Sequence, residues 1–497
     1  MRTVSGPTDH VVVVGAGLAG LSAALRLVGA GRQVTVVEQG SEPGGRAGVL
    51  RQEGYTFDTG PTVLTMPDLI ADALDCVDER LEDWLDLRPV EPAYRATYAD
   101  GSSLDLHTDP ARMEQEIAEV IGARDAAGYR DFVAFVSKMY RWEMADFIDK
   151  NMDGPWSVMT PNLARLAAAG GFRKLAPKVA QYLHDPRLQK AFSFQAMYAG
   201  LSPQAALAIY SVISYMDSVA GVWFAQGGMH AVPQALAGAA EKHGVRFRYD
   251  TRVERVELVG RRAVAVHTAD GERIAADAVV LNPDLPVAWR DLLGRVPRTV
   301  RRLDYSPSCF LMLTGGGPLA AEEAENNDGP LHTINFGESW ENVFTELIDQ
   351  RRVMSDPSFL VTRPTRMDPG LAPPGRQTHY VLFPTPHLGA DIDWRSFGPV
   401  YRDRVVETLE RRGYAGFGGA VEVEHVVTPL DWEAQGMERG APFAAAHSFL
   451  QTGPFRPRNI WGDNVVFAGS GTTPGVGVPM VLISGRLAAE RITGPQP

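Results

Sequence analysis

The sequence predicts an α/β protein of more than one domain, and three observations carry this prediction. The chain has 497 residues, well beyond the roughly 250 to 300 residues at which single hydrophobic cores stop growing. A β-branched run at 11–14 leads through glycines into a helical stretch, as in a βαβ unit. Farther along, segments of period-two alternation are mixed with segments of helical spacing.

The N-terminal βαβ unit has the most regular pattern. Residues 11–14 are all valine, which is typical of a strand buried on both faces. Residues 18–28 follow as a helix that ends at Gly29 and Gly31. A second strand at 34–37 closes at Glu38.

A helical and unusually uncharged region follows. From Asp125 to about Met152, apolar residues such as Phe132 and Met139 recur at helical spacing, which predicts a long amphipathic helix. Between 191 and 240 the only formally charged residue is Asp217. Two interpretations of this segment remain open, a pair of core helices or the wall of a tunnel for an apolar ligand.

Strands dominate the next part of the chain. Alternation from 245 to 281, with a turn at Asp270-Gly271, predicts a β-meander that ends in the apolar run 278–281. The segment 291–454 mixes strands at 309–313 and 379–383 with a helix at 401–411 and a proline-rich loop at 364–374.

Composition excludes several classes of function. A net charge of −12 has the wrong sign for neutralising phosphate backbones, so nucleic acid is not an expected partner. Two distant cysteines give no disulfide framework, which favours a cytoplasmic location. The uncharged stretches 11–25, 191–216 and 465–485 contain polar or helix-breaking residues and are interpreted as protein interior. With no basic cluster, membrane contact would have to be apolar and peripheral.

No metal or hydrolytic site is predicted. The eleven histidines are dispersed, and the sequence holds neither an HExxH nor a GxSxG motif. His230 and His387 are expected to be hydrogen-bonded structural residues.

Glycine spacing predicts a dinucleotide site. Gly15, Gly17 and Gly20 follow the first strand and open the first helix. The first glycine allows a tight turn, the second lets a pyrophosphate approach the backbone, and the third permits close packing of helix and strand. Glu38, 18 residues after Gly20 at the end of the second strand, can accept hydrogen bonds from ribose hydroxyls.

Further motifs show a family resemblance that covers essentially the whole length. They are Gly44-Gly45-Arg46-Ala47, 58–62 (DTGPT), 191–194 (AFSF), 221–224 (GVWF), Gly227-Gly228, 386–389 (PHLG), 455–457 (FRP) and the glycine-rich segment 467–480. In these motifs the chain resembles the bacterial phytoene desaturases, which are carotenoid desaturases of the flavin-dependent amine oxidase superfamily.

The resemblance implies a Rossmann-like FAD-binding domain of the amine oxidase type, with an inserted mixed α+β substrate domain and a helical apolar region. We expect 1–80, 218–290 and 455–497 to form the discontinuous FAD-binding domain. The substrate domain would comprise 81–130 and 291–454. Residues 131–217 would form the helical region that contacts substrate and membrane.

The resemblance also implies FAD and the residues that bind it. Arg46 is expected near the pyrophosphate, the backbone of Val253 near the adenine, and 60–62 near the isoalloxazine. The full expected set is Gly15, Gly17, Gly20, Glu38, Gly45, Arg46, Gly60, Pro61, Thr62, Val253, Gly469, Gly471, Val478, Pro479 and Met480. Two positions depart from the family pattern, since Thr473 stands where relatives often have His and Met480 where they often have Gly.

The implied activity is FAD-dependent desaturation of a linear carotenoid precursor, specifically phytoene to neurosporene or lycopene. A hydride would pass to flavin N5 and a proton would leave the neighbouring carbon. Such an apolar polyene must be bound by burial of apolar surface, at about 25 cal/mol per Å². The alternatives are another carotenoid-modifying flavoenzyme (an isomerase, a ketolase or a 3,4-desaturase), a flavin amine oxidase, or a non-enzymatic prenyl-group escort protein. No catalytic residue is identified from the sequence.

Overall fold

The computed structural model describes residues 1–319 and 329–495. Its first sheet has six strands, in the order Ile460–Trp461, Val465–Phe467, Ala278–Leu281, His10–Val14, Gln33–Val37 and Arg246–Arg248. All neighbours are parallel except the first pair. The valines of the strands His10–Val14 and Gln33–Val37 are buried. This is expected for strands that are covered on both faces.

The second sheet has seven strands and is assembled from distant parts of the chain. Its order is Val421–Val427, Ser308–Gly316, Gln377–Thr385, Phe359–Thr362, His332–Asn335, Tyr94–Thr97 and Ser103–Leu106. Only the pair formed by His332–Asn335 and Tyr94–Thr97 is parallel. Two antiparallel strand pairs complete this part of the fold, the hairpin Val49–Gln52 with Tyr55–Asp58 and the long-range pair Leu87–Pro89 with Trp223–Ala225.

The predicted meander at 245–281 is correct only in its middle. Val253–Val259, Arg262–Thr268 and Arg273–Ala275 form a three-stranded antiparallel sheet. The flanking strands Arg246–Arg248 and Ala278–Leu281 instead join the parallel sheet. Alternation reports the two faces of a strand but not its partner, so the sequence pattern did not distinguish the two sheets.

The longer described α-helices cover one face of the parallel sheet, the three-stranded antiparallel sheet packs against the other, and further helices form a separate helical layer. The described α-helices are Leu18–Gly29, Asp68–Asp75, Pro110–Val120, Ala123–Glu143, Pro161–Ala168, Leu175–Val179, Pro186–Ala191, Ser211–Ser218, Ala231–Lys242, Leu285–Val287, Arg298–Arg301, Trp340–Phe344, Trp394–Arg411, Phe417–Ala420, Pro429–Ala434 and Val478–Thr493. The first and last of the longer helices pack together, and Ser22 Oγ donates a hydrogen bond to the Leu482 carbonyl (2.9 Å).

The long amphipathic helix is shorter than predicted. It runs over Ala123–Glu143 and widens into a π-helical turn at Met144–Ile148. π-helical turns inside helices often occur at functional sites. Here the turn carries Phe147 and Ile148 into the wall of the cavity described below.

The uncharged segment 191–240 does not form a pair of core helices. It contains 3₁₀ turns at Phe194–Ala199 and Ala208–Tyr210, the short helix Ser211–Ser218 and the helix Ala231–Lys242. The last of these packs into the core beneath the parallel sheet, whereas the first three line a cavity. Within the described ranges, no helix is both long and apolar enough to cross a membrane.

Candidate functional site

One large cavity of about 1430 Å³ runs from the carboxyl edge of the parallel sheet into the helical layer. All of the fifteen residues predicted to bind cofactor line it, except Gly20. These residues come from five separate parts of the sequence, so the fold brings together what the chain separates. Ligand sites at this edge are the general rule for sheets of this type.

The glycine-rich turn is built as the sequence predicts, with one unexpected partner. Gly15 has φ +100°, a backbone conformation that favours glycine. A Cβ atom on Gly20 would lie 2.2 Å from the Gly15 carbonyl oxygen, so Gly20 serves close packing and not direct lining. Asn282 accepts a hydrogen bond from Gly20 N (3.2 Å) and donates one to the Ala468 carbonyl (3.1 Å).

Glu38 is held at the end of its strand by backbone groups. Its Oε2 accepts a hydrogen bond from Ala16 N (2.7 Å) and its Oε1 accepts one from Gly40 N (2.8 Å). The carboxylate therefore has a fixed position at the cavity wall, next to the segment that carries Val253. This is the arrangement that recognises ribose hydroxyls.

Arg46 joins the N-terminal motif to the C-terminal glycine-rich segment. It hydrogen-bonds Ser470 Oγ and lies 3.5 Å from the buried carboxylate of Asp284. A guanidinium group at this position can interact with phosphate charge. Asn282 and Asp284 were not predicted as site residues, because their roles depend on contacts between distant segments.

Arg456 braces the glycine-rich segment from behind. It is 2% exposed and donates hydrogen bonds to the carbonyls of Thr472 (2.8 Å), Ser470 (2.6 Å) and Gln451 (3.1 Å). Burial lowers the pKa of this arginine to about 10, so it remains charged at neutral pH. The family motif at 455–457 pointed to this residue but did not reveal its contacts.

The helix Val478–Thr493 begins at the cavity wall. Gly477, which precedes it, has φ +111°, and Val478, Pro479 and Met480 in the first turn line the cavity. Backbone N–H groups in a first turn have no partner within the helix, and the helix dipole favours negative charge there. The turn can therefore stabilise an anionic ring system held against it.

Beyond Met480 the cavity becomes apolar. Its wall in the helical layer includes Phe147, Leu163, Leu166, Phe172, Ile209 and Ile213. Two carboxyl groups interrupt this surface, Glu143 and Asp217. Burial raises the pKa of Glu143 well above its ordinary value and raises the pKa of Asp217 to about 7.

His230 and His387 are both hydrogen-bonded. His230 hydrogen-bonds the Ala47 carbonyl (2.9 Å) and Glu42 (3.2 Å), and His387 Nδ1 accepts a hydrogen bond from Gly389 N (2.8 Å). His447, which was not singled out, lines the cavity beside Val476. Burial keeps its pKa well below the ordinary value, so it is neutral. No group of acidic, Cys or His side chains suited to a metal occurs among the described residues.

The residues present fit FAD. A glycine turn at a helix start, a fixed carboxylate for the ribose, an arginine for the pyrophosphate and a second helix start for the flavin lie along one cavity. The adjoining apolar volume is left for a substrate. A total near 1430 Å³ exceeds the roughly 300 to 1,000 Å³ common for single small-molecule sites.

Comparison with known proteins gives the family. Residues 18–493 match the family model described as flavin containing amine oxidoreductase. The phytoene dehydrogenase of Streptomyces griseus is 56% identical, with 100% of this chain and 97% of the relative aligned. The zeta-carotene-forming phytoene desaturase of Myxococcus xanthus is 36% identical over 97% of this chain and 93% of its own.

A solved structure supports the same fold. An oxidoreductase from Methanosarcina mazei superposes with a TM-score of 0.59 over 96% of this chain and 99% of its own, at 17% sequence identity. From the cavity, the motifs and these matches we conclude that the chain belongs to the flavin-containing amine oxidoreductases, within their group of carotenoid desaturases of the phytoene desaturase type, and is an FAD-dependent oxidoreductase.

Proposed function

We propose that the chain desaturates a linear carotenoid precursor, specifically phytoene to neurosporene or lycopene. FAD supplies the oxidising power when bound, by accepting a hydride at N5. The protein's own residues position the polyene, exclude water and receive the proton. The observation that carries the proposal is the largely apolar arm of the cavity, which opens from the side of Met480.

The chemistry of the wall supports a hydrocarbon over an amine. An amine substrate needs charged or polar groups that hold its nitrogen, whereas the arm is lined by Phe, Leu and Ile side chains from the helical layer. Its two carboxyl groups have raised pKa values because they are buried. Burial therefore reduces, at both groups, the negative charge that would hold the ammonium group of an amine.

Two relatives support the substrate class, since the Streptomyces griseus protein is named a phytoene dehydrogenase and the Myxococcus xanthus protein a zeta-carotene-forming phytoene desaturase. The test is expression in a phytoene-accumulating bacterium with pigment analysis. Conversion of phytoene to more unsaturated carotenes is expected. A changed double-bond geometry or an added oxygen, without desaturation, would favour the isomerase or ketolase alternative.

We also propose that the chain binds membranes peripherally around the mouth of this cavity. Six exposed apolar side chains are concentrated in two segments, and we call them the mouth patch: Trp156, Met159, Phe172, Phe449, Leu450 and Phe455. The turns Gly453–Phe455 and Pro155–Val158 pack on each other, and Phe172, Phe449 and Phe455 line the cavity. A polyene dissolved in lipid could then enter without crossing water.

A further inference from the structure

Asp217 is an isolated carboxyl group in the apolar part of the cavity. It is the only charged residue between 191 and 240 and is 3% exposed. Its Oδ1 accepts a hydrogen bond from Ser218 Oγ (3.1 Å), and hydrogen bonding by Ser218 and Gln195 partly offsets the effect of burial on its pKa. Its Oδ2 is buried with no well-formed hydrogen bond among the described residues. Burial of an incompletely bonded carboxyl group costs free energy, so folding stability does not explain its presence.

Asp217 lines the same cavity as the residues expected around the flavin, and its neighbour in the chain packs close to them. The preceding residue, Met216, belongs to the same apolar cluster as Met66, and Met480 packs against that cluster. On the other side lie Tyr94 and Tyr198. Burial raises the pKa of both phenols, and the nearby Asp217 charge raises it further. All of these residues except Met66 line the cavity.

We propose that Asp217 accepts the proton that the polyene loses during desaturation. This inference rests on the proposed function and identifies the residue that accepts the proton in the desaturation. At the carbon pair that is desaturated, one hydrogen leaves with its bonding electrons and reduces FAD. The hydrogen on the neighbouring carbon leaves as a proton to Asp217 Oδ2, and its C–H electron pair becomes the new π bond. The substrate loses two hydrogens, Asp217 becomes a neutral acid and the flavin gains two electrons.

The acid strength of Asp217 supports this role. With a pKa of about 7, the group is partly ionised at neutral pH and is a stronger base than an exposed carboxylate. The other titratable groups nearby are Tyr94, Tyr198 and Glu143, which lies on the helix packed against Ser211–Ser218. Burial raises the pKa of all three. Burial therefore favours the protonated form of both tyrosines and of Glu143, whereas Asp217 ionises near neutral pH.

The test measures how fast phytoene reduces the bound flavin. The FAD-loaded full-length chain is mixed without oxygen with phosphatidylcholine vesicles that contain phytoene, and loss of oxidised flavin absorbance is followed. Asp217→Asn should lower the first-order rate at least about a hundredfold, the usual effect of removing a general base, with FAD content unchanged. Asp217→Glu should recover part of the rate. Asp125→Asn, at a buried carboxylate outside the cavity that accepts a hydrogen bond from His184 N, serves as the matched control and should react at the wild-type rate.

Several outcomes separate the inference from the proposed function. The wild-type rate should rise with pH up to about 7, and the residual rate of Asp217→Asn should lack this rise. Reduction of Asp217→Asn at the wild-type rate would overturn the inference alone. The inference would also be overturned if Glu143→Gln greatly lowered the rate of flavin reduction while Asp217→Asn left it unchanged. Glu143 would then be the residue that accepts the proton. Failure of phytoene to reduce the wild-type flavin would overturn the proposed function, and the inference with it.

Discussion

Met480 lies where the cofactor-binding part of the cavity meets its apolar arm. It lies in the first turn of Val478–Thr493, lines the cavity and packs against Met66 and Met216. An unbranched thioether at this point narrows the passage but can change rotamer. The residue therefore affects how far a polyene can slide past the flavin.

Replacing Met480 by Gly should change the distribution of desaturation products while FAD stays bound, because the backbone N–H groups of the turn remain. Products are measured by chromatography after incubation with phytoene in lipid. Met480→Leu keeps the volume and should preserve the wild-type distribution. If Met480→Gly alters neither products nor rate, Met480 does not border the substrate path.

Glu143 gives a second prediction at this scale, on stability. It is 6% exposed and its Oε1 has no partner among the described residues, and burial holds its pKa well above the ordinary value. The folded chain thus keeps a proton that the unfolded chain releases above about pH 4.5. Wild-type stability should fall as pH rises, by up to about 1.4 kcal/mol per pH unit from this group.

Glu143→Gln removes this proton linkage. Its melting temperature, measured with bound FAD by flavin fluorescence, should rise relative to wild type as pH increases from 5.5 to 7.5. Glu254→Gln, at an exposed position, should show a difference independent of pH. A gap between Glu143→Gln and wild type that stays constant across this range would mean that the carboxyl group titrates normally.

Individual residues were predictable where a local motif specifies them. Gly15, Gly17 and Glu38 follow from spacing within one βαβ unit, and the structure brings them to the cavity. Asn282 and Arg456 could not be found by spacing alone, because they act through contacts with other segments, up to 262 residues away for Asn282 and up to 16 for Arg456. Asp217 stands out in the sequence as an isolated charge, but only the fold shows that it lines the cavity and that its neighbour Met216 packs against Met480.

At the scale of elements, Gly20 sets the distance between the helix Leu18–Gly29 and the turn that follows the strand His10–Val14. A Cβ there would lie 2.2 Å from the Gly15 carbonyl oxygen and 3.0 Å from Asn282 Oδ1. The Gly15 carbonyl oxygen belongs to the backbone, so it cannot move out of the way of an added methyl group as a flexible side chain could. The helix must therefore shift as a unit.

Gly20→Ala should consequently lose FAD and destabilise the fold by roughly 1 to 3 kcal/mol, as overpacking does. Flavin content after purification and the denaturation midpoint measure the two effects. Gly419→Ala, in a helix where an added Cβ meets nothing within 4 Å, is the matched control and should keep wild-type stability. Full FAD content in Gly20→Ala would contradict the close packing.

Elements themselves were predicted with uneven success. The first helix and both flanking strands agree with the sequence pattern to within one residue, because propensity, glycine placement and burial all favour the same boundaries. The helix from Asp125 was predicted too long, since apolar spacing continues through Phe147 although the backbone changes to a π-helical turn. The seven-stranded sheet could not be derived, because its neighbours are distant in sequence.

At the scale of the whole molecule, the proposed membrane binding through the mouth patch can be tested directly. Trp156, Met159 and Leu450 are 84%, 66% and 71% exposed and do not line the cavity. Burying each in lipid would contribute roughly 1.5 to 3 kcal/mol. Their combined replacement by Ser should reduce the partition into vesicles at least about tenfold.

Vesicle co-sedimentation measures this partition. Val259 and Val400 are exposed apolar residues elsewhere on the surface, so their replacement by Ser is the control and should leave binding intact. Wild-type binding should persist at 1 M salt, which screens charge but not apolar contact. Release by salt alone would contradict an apolar docking surface.

The central claim is that one cavity holds FAD beside an apolar polyene, and that the bound FAD oxidises the polyene. The most direct measurement is a single turnover without oxygen, in which FAD-loaded wild-type chain is mixed with excess phytoene in vesicles. We predict that the flavin is fully reduced and that one new carbon–carbon double bond appears per flavin, by absorbance and product analysis. A flavin that stays oxidised with phytoene yet is reduced by an amine would contradict the claim.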